Sequence, residues 1–406
     1  MLITLRLALR NILRHKTRTA MTLAAIVVGV AGLILGGGWV ADIFVALGES
    51  IIHSQSGHLQ AARSGYFTAG SRSPEKYLID DVASLAARCR ALPGTTRVMA
   101  RLAFSGLLSN GRNDLPIVAE GVESAAEAAM GSRLVLVAGR QLQDSDRYGV
   151  LLGEGLALAL HLQPGERVSV LANALEGALN SVELEVVGVF QSMSRDYDSH
   201  ALRLPLAAAQ DLLGRPGANT LVIELTRTAD TEVAAAALRG LLAAQGLEVK
   251  TWMELNDFYQ QVVELYQRQF AFLQGIILMM VLLSVANSVN MNIFERVGEF
   301  GTMQALGNRR RAVFRLILAE GLVLGLCGSA LGLAAGTLLA LAISAVGIAM
   351  PPPPNANVGY IAHVLLLPRE LLLACVIGCA AAVLASVLPA WRVSRLQVVD
   401  ALRENL

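Results

Sequence analysis

The chain has 406 residues, of which 54% are hydrophobic and only 16% are charged, and its formal net charge is +1. Soluble domains carry roughly 25% charged residues, so this composition excludes a wholly soluble protein, a disordered chain and a nucleic-acid-binding protein. Three of the four cysteines, Cys327, Cys375 and Cys379, lie inside apolar runs and leave Cys89 without a partner. The sequence therefore predicts neither a disulfide framework nor a cysteine-based zinc site.

Four stretches are apolar over the roughly 20 residues that a helix needs to cross a bilayer. These transmembrane helices are predicted at 19–47, 270–293, 312–350 and 370–391. Between the first two lies a segment of ordinary globular composition, long enough to fold around a core of its own. The predicted fold class is an α-helical membrane protein with four transmembrane helices and a large α+β extracytoplasmic domain inserted between helices 1 and 2.

The segments between these spans complete the predicted domain organisation. They are an amphipathic cytoplasmic helix (1–18), the external core domain (48–250), a stalk helix (251–269), a cytoplasmic loop (294–311), an external loop (351–369) and a cytoplasmic tail (392–406). In the first of them, Arg6, Arg10 and Arg14 share one helix face beside an apolar stripe. This pattern predicts a helix that lies among lipid headgroups.

The basic residues orient the chain. Thirteen of the fourteen Lys and Arg residues outside 48–268 precede the first span, follow the last or lie between the second and third, and only Arg369 lies on the other side. By the positive-inside rule both termini are cytoplasmic. The 48–268 segment, with 19 Lys and Arg against 25 Asp and Glu, is then external. We expect the first span to be an uncleaved anchor rather than a signal peptide, because its apolar run is long.

The external segment mixes the two kinds of secondary structure. Strands are predicted at Gly57–Ala61, Arg97–Leu108, Leu115–Gly121, Arg167–Leu171, Val182–Phe190 and Leu221–Leu225, and helices at Asp81–Leu92, Glu154–His161, Pro205–Leu213 and Asp230–Gln245. The proline-free stretch from Trp252 to Ile293 predicts one continuous helix. Its amphipathic outer half would form the stalk, although a stripe that packs on the external domain has the same pattern.

Catalytic motifs are absent from the sequence. Lys16, Lys76 and Lys250 are the only lysines and none follows a glycine, so the chain holds no Walker A loop. The histidines are scattered and no H-E-x-x-H, G-x-S-x-G or C-x-x-C motif occurs, so we predict no metal site and no catalytic residue. Of the ionisable residues in the spans, Glu320 is expected to pair with Arg315 or Arg311 near the cytoplasmic face.

The third span carries glycines three or four residues apart. A small-residue face of this kind permits close contact between helices, either within the chain or across a dimer. The predicted packing residues are Gly321, Gly325, Gly328, Gly332 and Gly336.

The loop after the second span, F-E-R-V-G-E-F-G-T-M-Q-A-L-G-N-R-R-R at 294–311, resembles that of permeases in the MacB, FtsX and lipoprotein-releasing (LolC/LolE-like) group of ABC transporters. Further similar segments occur at 8–19, 153–168, 204–213 and 388–403. These permeases have one span, a large external domain and then three spans, as predicted above. The segment S-G-H-L-Q after the first span resembles the lipoprotein-releasing branch in particular.

The resemblance implies a short coupling helix at 295–307, seated in a groove of a separate cytoplasmic P-loop ATPase dimer that binds ATP and Mg²⁺. In MacB the ATPase is fused ahead of the first span, and we expect no such fusion here. Two permease chains, identical or homologous, would serve each ATPase dimer. The implied coupling residues are Glu295, Arg296 and Glu299 for polar contacts, Phe300, Met303 and Leu306 for packing, and Gly301 and Gly307 for bends.

The function that these observations favour is a permease of the bacterial inner membrane that extracts or exports a lipophilic substrate, such as a lipoprotein, by mechanotransmission. One alternative is an FtsX-like subunit that signals to a periplasmic partner without transport. Another is a membrane scaffold that works without any ATPase. An ion-driven transporter is disfavoured, because the spans hold few ionisable residues.

Overall fold

The computed structural model describes residues 10, 16–70, 74–130, 135–174, 178–192, 194–350 and 359–395. The predicted amphipathic helix at 1–18, the proline run of the external loop and the end of the tail fall mostly outside these residues. The chain forms two compact units. The membrane unit comprises Met1–Phe44, Val263–Ala349 and Ile361–Leu406, and the globular unit comprises Val45–Val262 and Met350–Tyr360.

The described residues contain both long and short helices. In chain order the α-helices are α1 (Lys16–Ile51), α2 (Tyr66–Ala69), α3 (Val82–Arg90), α4 (Ser124–Met130), α5 (Glu154–Leu160), α6 (Arg195–Asp198), α7 (Leu206–Leu213), α8 (Thr231–Leu242), α9 (Trp252–Leu255), α10 (Asp257–Glu295), α11 (Val297–Ala305), α12 (Arg310–Val346) and α13 (Pro368–Ser394). A π-helix, Ile52–Ser56, continues α1 directly, and 3₁₀ helices occupy Pro74–Tyr77, Thr228–Asp230 and Ala243–Gln245.

Twelve strands are described. They are β1 (Leu59–Arg63), β2 (Thr95–Ser109), β3 (Asp114–Val122), β4 (Val135–Gly139), β5 (Gly149–Gly153), β6 (Arg167–Asn173), β7 (Leu179–Gln191), β8 (Ala201–Pro205), β9 (Thr220–Leu225), β10 (Leu247–Thr251), β11 (Ile348–Met350) and β12 (Tyr360–Ala362).

The membrane unit is built on α1, α10, α12 and α13, which are long and apolar enough to cross a membrane by length and composition. The four predicted spans are therefore confirmed as helices. Aliphatic side chains from all four helices, among them Ile26, Val285, Val313 and Ala382, form one buried cluster. In the most apolar stretch of α10 only 11% of the residues are buried, so most of the surface of that helix faces outward from the unit.

The predicted single helix from Trp252 to Ile293 is wrong in one detail. The helix is interrupted at Asn256 (φ −121°, ψ 77°), which separates α9 from α10. A capping box between Thr251 and Glu254 begins α9, and the Asn256 side chain donates to the carbonyl oxygen of Trp252. Side-chain hydrogen bonds of this kind compete with the backbone hydrogen bonds of a helix. The four-residue helix α9 therefore ends where the Asn256 side chain binds the carbonyl group of its first residue.

The globular unit holds a mixed sheet with the strand order β10-β1-β9-β2-β3-β8-β5-β7-β4, and β6 pairs with β2 and β7. Along β2, Ala100 and Leu102 belong to the two main apolar clusters of the unit, whereas Arg101 between them points to the opposite face. All six predicted strands are present. The strands β4, β5, β8 and β10 and the helices α2, α4 and α6 were not predicted, and each of them has only four to seven residues.

Candidate coupling site

The loop between the second and third spans contains a separate short helix, as predicted. Backbone dihedral angles at Arg296 (φ −112°, ψ 12°) end α10 and begin α11. At the other end Gly307 has φ +92°, a left-handed conformation that favours glycine, and its N–H donates to the carbonyl oxygen of Gln304. An extended Arg309 then begins α12. The helix therefore covers 297–305 rather than 295–307.

Arg296 lies beneath α11 and is only 6% exposed. Its Nη1 is 3.0 Å and 3.1 Å from the two carboxylate oxygens of Glu320 in α12. Its Nε donates to Oε2 of Glu299 at 3.0 Å, and its guanidinium carbon lies 5.0 Å from the centroid of the Phe300 ring. The expected pairing of Glu320 with Arg315 or Arg311 is therefore wrong. Arg296 takes that place because it lies at the break between α10 and α11, where its side chain reaches Glu320 of α12.

The inner face of α11 packs into the apolar cluster of the membrane unit. Phe300 is 2% exposed and belongs to that cluster, and Met303 packs against it. Gly301 is buried in the interior of the helix and makes no bend, so that part of the prediction is wrong. The bends lie at Arg296 and Gly307 instead, one at each end of α11.

The outer face of α11 presents fewer residues than the sequence suggested. Glu295 and Glu299 are exposed, the latter with 46% of its side chain accessible, and Leu306 is 85% exposed. A partner can reach these three side chains, whereas Arg296 and Phe300 are enclosed by the chain's own helices. The arrangement thus has an anchored side and an exposed side, and the exposed side combines carboxylates with one large apolar group.

The five glycines of α12 lie at contacts within the chain. A Cβ atom at Gly321 or Gly325 would meet Ser386 or Ala382 of α13. At Gly328, Gly332 and Gly336 it would lie within 2.7 Å to 3.0 Å of side chains of α1, namely Ile26, Val30 and Ile34. Small residues let helix backbones approach closely, so this face of α12 packs against two neighbouring helices of the same chain.

The described residues contain no group of three or more His, Cys, Asp or Glu side chains arranged to hold a metal ion. Sequence analysis missed a buried ionic cluster in the globular unit, formed by Arg101, Glu127 and Arg203. A signal was present, since Arg101 interrupts the apolar stretch V-M-A-R-L-A of β2. Charged residues are rarely buried unless they are paired, and a single sequence does not identify the partner.

Comparison with known proteins agrees with this architecture. The family model of the MacB-like periplasmic core domain matches residues 19–241, and that of the FtsX-like permease C-terminal region matches residues 271–398. Together they cover most of the globular unit and at least part of each of the four membrane helices. The chain belongs to the MacB/FtsX family of ABC transporter permeases.

Individual relatives of this permease are distant. The lipoprotein-releasing system transmembrane protein LolE of Haemophilus influenzae is 23% identical over 341 residues, which cover 79% of this chain and 80% of LolE. The macrolide export ATP-binding/permease protein MacB of Bdellovibrio bacteriovorus is 23% identical over 82% of this chain and 53% of MacB. An ABC transporter permease of Methanocaldococcus jannaschii is 24% identical over 51% of this chain and 52% of its own length. The permease thus spans about half the length of two of these three relatives.

Proposed function

We propose that this permease couples ATP hydrolysis by a separate cytoplasmic P-loop ATPase to the extraction or export of a lipophilic substrate at the outer leaflet of the bacterial inner membrane. The chain itself is then a transport subunit without catalytic residues, and ATP and Mg²⁺ bind to the partner. The charge distribution supports cytoplasmic termini and a cytoplasmic α11, with the globular unit on the opposite side.

The observation that carries this proposal is the two-sided structure of α11. Its outer side offers Glu299 and Leu306 to a partner, and its base is fixed to α12 by the buried pair of Arg296 and Glu320. A helix that only linked two spans would need no buried ion pair, since burying both charges costs several kcal/mol before the partners compensate each other. A base that is fixed to α12 is required if α11 is to transmit a displacement from the ATPase to the spans.

A lipoprotein is the substrate that we favour. LolE, whose name describes lipoprotein release, aligns over 79% of this chain and 80% of its own length, so the two chains have nearly the same extent. The lower coverage of MacB, 53% of its length, accompanies the ATP-binding part that its name includes. A two-chain assembly, either a homodimer or a pair of homologues, follows from the ATPase acting as a dimer. Lipids surround the apolar outer surfaces of α10, α12 and α13.

Association with an ATPase is tested first. The full chain is purified gently through a C-terminal tag in the presence of a non-hydrolysable ATP analogue, and the proteins that accompany it are identified by mass spectrometry. We expect a P-loop ATPase in near-equimolar amount, and a second permease chain where the assembly is mixed. Recovery of the permease without any ATPase would favour the scaffold function instead.

Substrate transfer is tested next with the purified complex in proteoliposomes that contain an acylated lipoprotein. We expect ATP-dependent release of the lipoprotein into the soluble fraction, and none with an ATPase subunit that binds but does not hydrolyse ATP. Release of neither the lipoprotein nor a macrolide, despite normal ATP turnover, would favour a signalling subunit.

A further inference from the structure

The π-helix Ile52–Ser56 carries the end of α1 onto the sheet of the globular unit. The last carbonyl groups of a helix have no partner within it and carry partial negative charge. Here two of them accept hydrogen bonds from arginines of the sheet. Nη2 of Arg203 donates to the carbonyl oxygen of Ser54 at 2.9 Å, and Nη1 of Arg101 donates to that of Gln55.

The strand register explains why both arginines reach the same segment. Arg101 lies on β2 and Arg203 on β8, with β3 between them, and Glu120 of β3 is in register with Arg203. Alternate residues of a strand share a face, so these side chains leave the sheet on the side opposite Leu102 and Leu202 of the main core.

A third charge completes this cluster. Glu127 of α4 accepts from Nη2 of Arg101 at 2.6 Å and lies 3.1 Å from Nη1 of Arg203. The three side chains are only 4%, 1% and 5% exposed for Arg101, Arg203 and Glu127. Burial alone would raise the pKa of Glu127, but the two neighbouring guanidinium groups hold it below its ordinary value. We call Arg101, Glu127 and Arg203 the arginine clamp.

Stability alone explains the arginine clamp poorly. Buried ion pairs contribute little net stability compared with apolar residues of the same volume, because both charges lose their water. Such pairs instead fix the relative positions of the groups they join, since a guanidinium fork donates its hydrogen bonds in fixed directions and its acceptors must lie within a narrow range. The side chains of the same segment are held as well, because His53 lies 3.2 Å from Glu49 and 3.4 Å from Glu224 of β9.

We propose that Arg101 and Arg203 are positioning residues that lock the end of the first membrane helix to the sheet, so that a displacement of this helix moves the sheet with it. The inference rests on the proposed function, because the displacement originates at the ATPase. It assigns the last transmission step to two backbone carbonyls and two arginines rather than to apolar packing.

The test uses the full permease with its ATPase in nanodiscs, followed by hydrogen–deuterium exchange with and without a non-hydrolysable ATP analogue. In the wild type we expect the nucleotide to change exchange in peptides of the π-helix and of β2 and β8 together. In Arg203→Lys, which keeps the charge but loses the fork, we expect the change in β2 and β8 to be lost, with ATPase binding and ATP turnover retained. An unchanged response of β2 and β8 in folded Arg203→Lys would overturn the proposal.

Two controls separate a broken lock from other failures. Arg140→Lys alters an arginine of the same unit that pairs with Asp146 and touches no part of the π-helix, so its response should equal that of the wild type. Folding is monitored by labelling of the Cys89 thiol, which is fully buried. Rapid labelling of Cys89 in Arg203→Lys would mean that this variant is unfolded. Glu127→Gln is then tested instead by the exchange response of β2 and β8, since it preserves the side-chain shape at 127 and both arginines.

Failure of the proposed function gives a different result. The proposed function is refuted if the wild-type permease binds no ATPase or shows no nucleotide response anywhere. The contact between the arginines and the π-helix is then tested by amide exchange without nucleotide. In that case the lock predicts faster amide exchange at 52–56 in Arg203→Lys than in both the wild type and Arg140→Lys. Equal exchange in all three would overturn the lock itself.

Discussion

Nη1 of Arg296 lies within 3.1 Å of both carboxylate oxygens of Glu320, although 24 residues separate the two in sequence. The pair joins the end of α10 to the third turn of α12, directly beneath α11. Since Phe300 covers the guanidinium from the other side, the base of α11 is enclosed by charge pairing and by an aromatic ring. In the function proposed above, this enclosure lets the short helix pass a displacement to the spans.

Replacing one member of this pair should destabilise the membrane unit. Glu320→Gln leaves Arg296 buried with only Glu299 to balance its charge, so we expect a loss of roughly 3 kcal/mol in the free energy of unfolding, the lower end for a broken buried pair. Thermal and denaturant unfolding of the full chain in detergent measures the loss. Arg296→Met combined with Glu320→Leu should recover most of it, and a single variant as stable as the wild type would contradict the pairing.

The glycine face of α12 yields a second prediction. Gly332→Leu places a side chain where a Cβ alone would lie 2.7 Å from Val30, so α1 and α12 must separate, and we expect a loss of at least about 1–3 kcal/mol. Gly275→Leu is the matched control, because Gly275 of α10 has nothing within 4 Å of its Cβ position. Unfolding in detergent should distinguish the two variants clearly, and equal stability would contradict packing of this face within the chain.

The sequence predicted the parts of the fold that depend on long patterns. Four apolar runs specified the spans, and six strands and four helices of the globular unit appeared near their predicted positions. Some short segments escaped, such as β5 with five residues and α4 with seven, because so few positions define a period only weakly. Others of the same length, β1 and α5, were predicted. The interruption at Asn256 escaped for a different reason, since it depends on side-chain bonds to nearby backbone groups.

For the coupling site, the sequence identified the segment but not the direction of its side chains. Arg296 and Phe300 were expected to contact a partner, and the structure encloses both. Their burial depends on the break between α10 and α11 at Arg296 and on its contact with Glu320 of the next span. Long-range pairing of this kind has no local signal, and for the same reason Arg101, Glu127 and Arg203 could not be joined into one cluster from sequence.

Stability of the globular unit should depend on His58. Its Nδ1 accepts from the N–H of Leu225 at 3.1 Å, so the proton resides on Nε2, which donates to Thr228. Burial, reinforced by the nearby His53, lowers the pKa of His58 from 6.5 to about 4. Between these values the unfolded chain binds a proton that the folded unit does not, so the free energy of unfolding should fall as the pH falls from 6.5 to 4 and stay level above 6.5.

His58→Asn separates this titration from other acid effects. Asparagine offers an acceptor to the Leu225 N–H but binds no proton in this range, so the thermal midpoint should change less between pH 6.5 and pH 4 than in the wild type. The midpoint is measured for the full chain at several pH values. A pH dependence identical in the variant and the wild type would assign the effect to other groups.

The exposed carboxylate of α11 provides the most direct test of coupling. Glu299→Arg reverses a charge on the exposed side of the helix and sets it beside Arg296, from which Glu299 is 3.0 Å away. We expect normal membrane insertion but loss of ATPase binding, or of transport at retained ATP turnover, because the partner groove meets the wrong charge. Glu264→Arg is the control, since Glu264 of α10 is also an exposed glutamate, with 63% of its side chain accessible, and pairs with Arg268 one turn away. Co-purification of the ATPase and ATP-dependent substrate release are measured for both variants. If Glu299→Arg retains both properties at the level of Glu264→Arg, then α11 does not contact the ATPase through this face, and the coupling contact lies elsewhere on the cytoplasmic side.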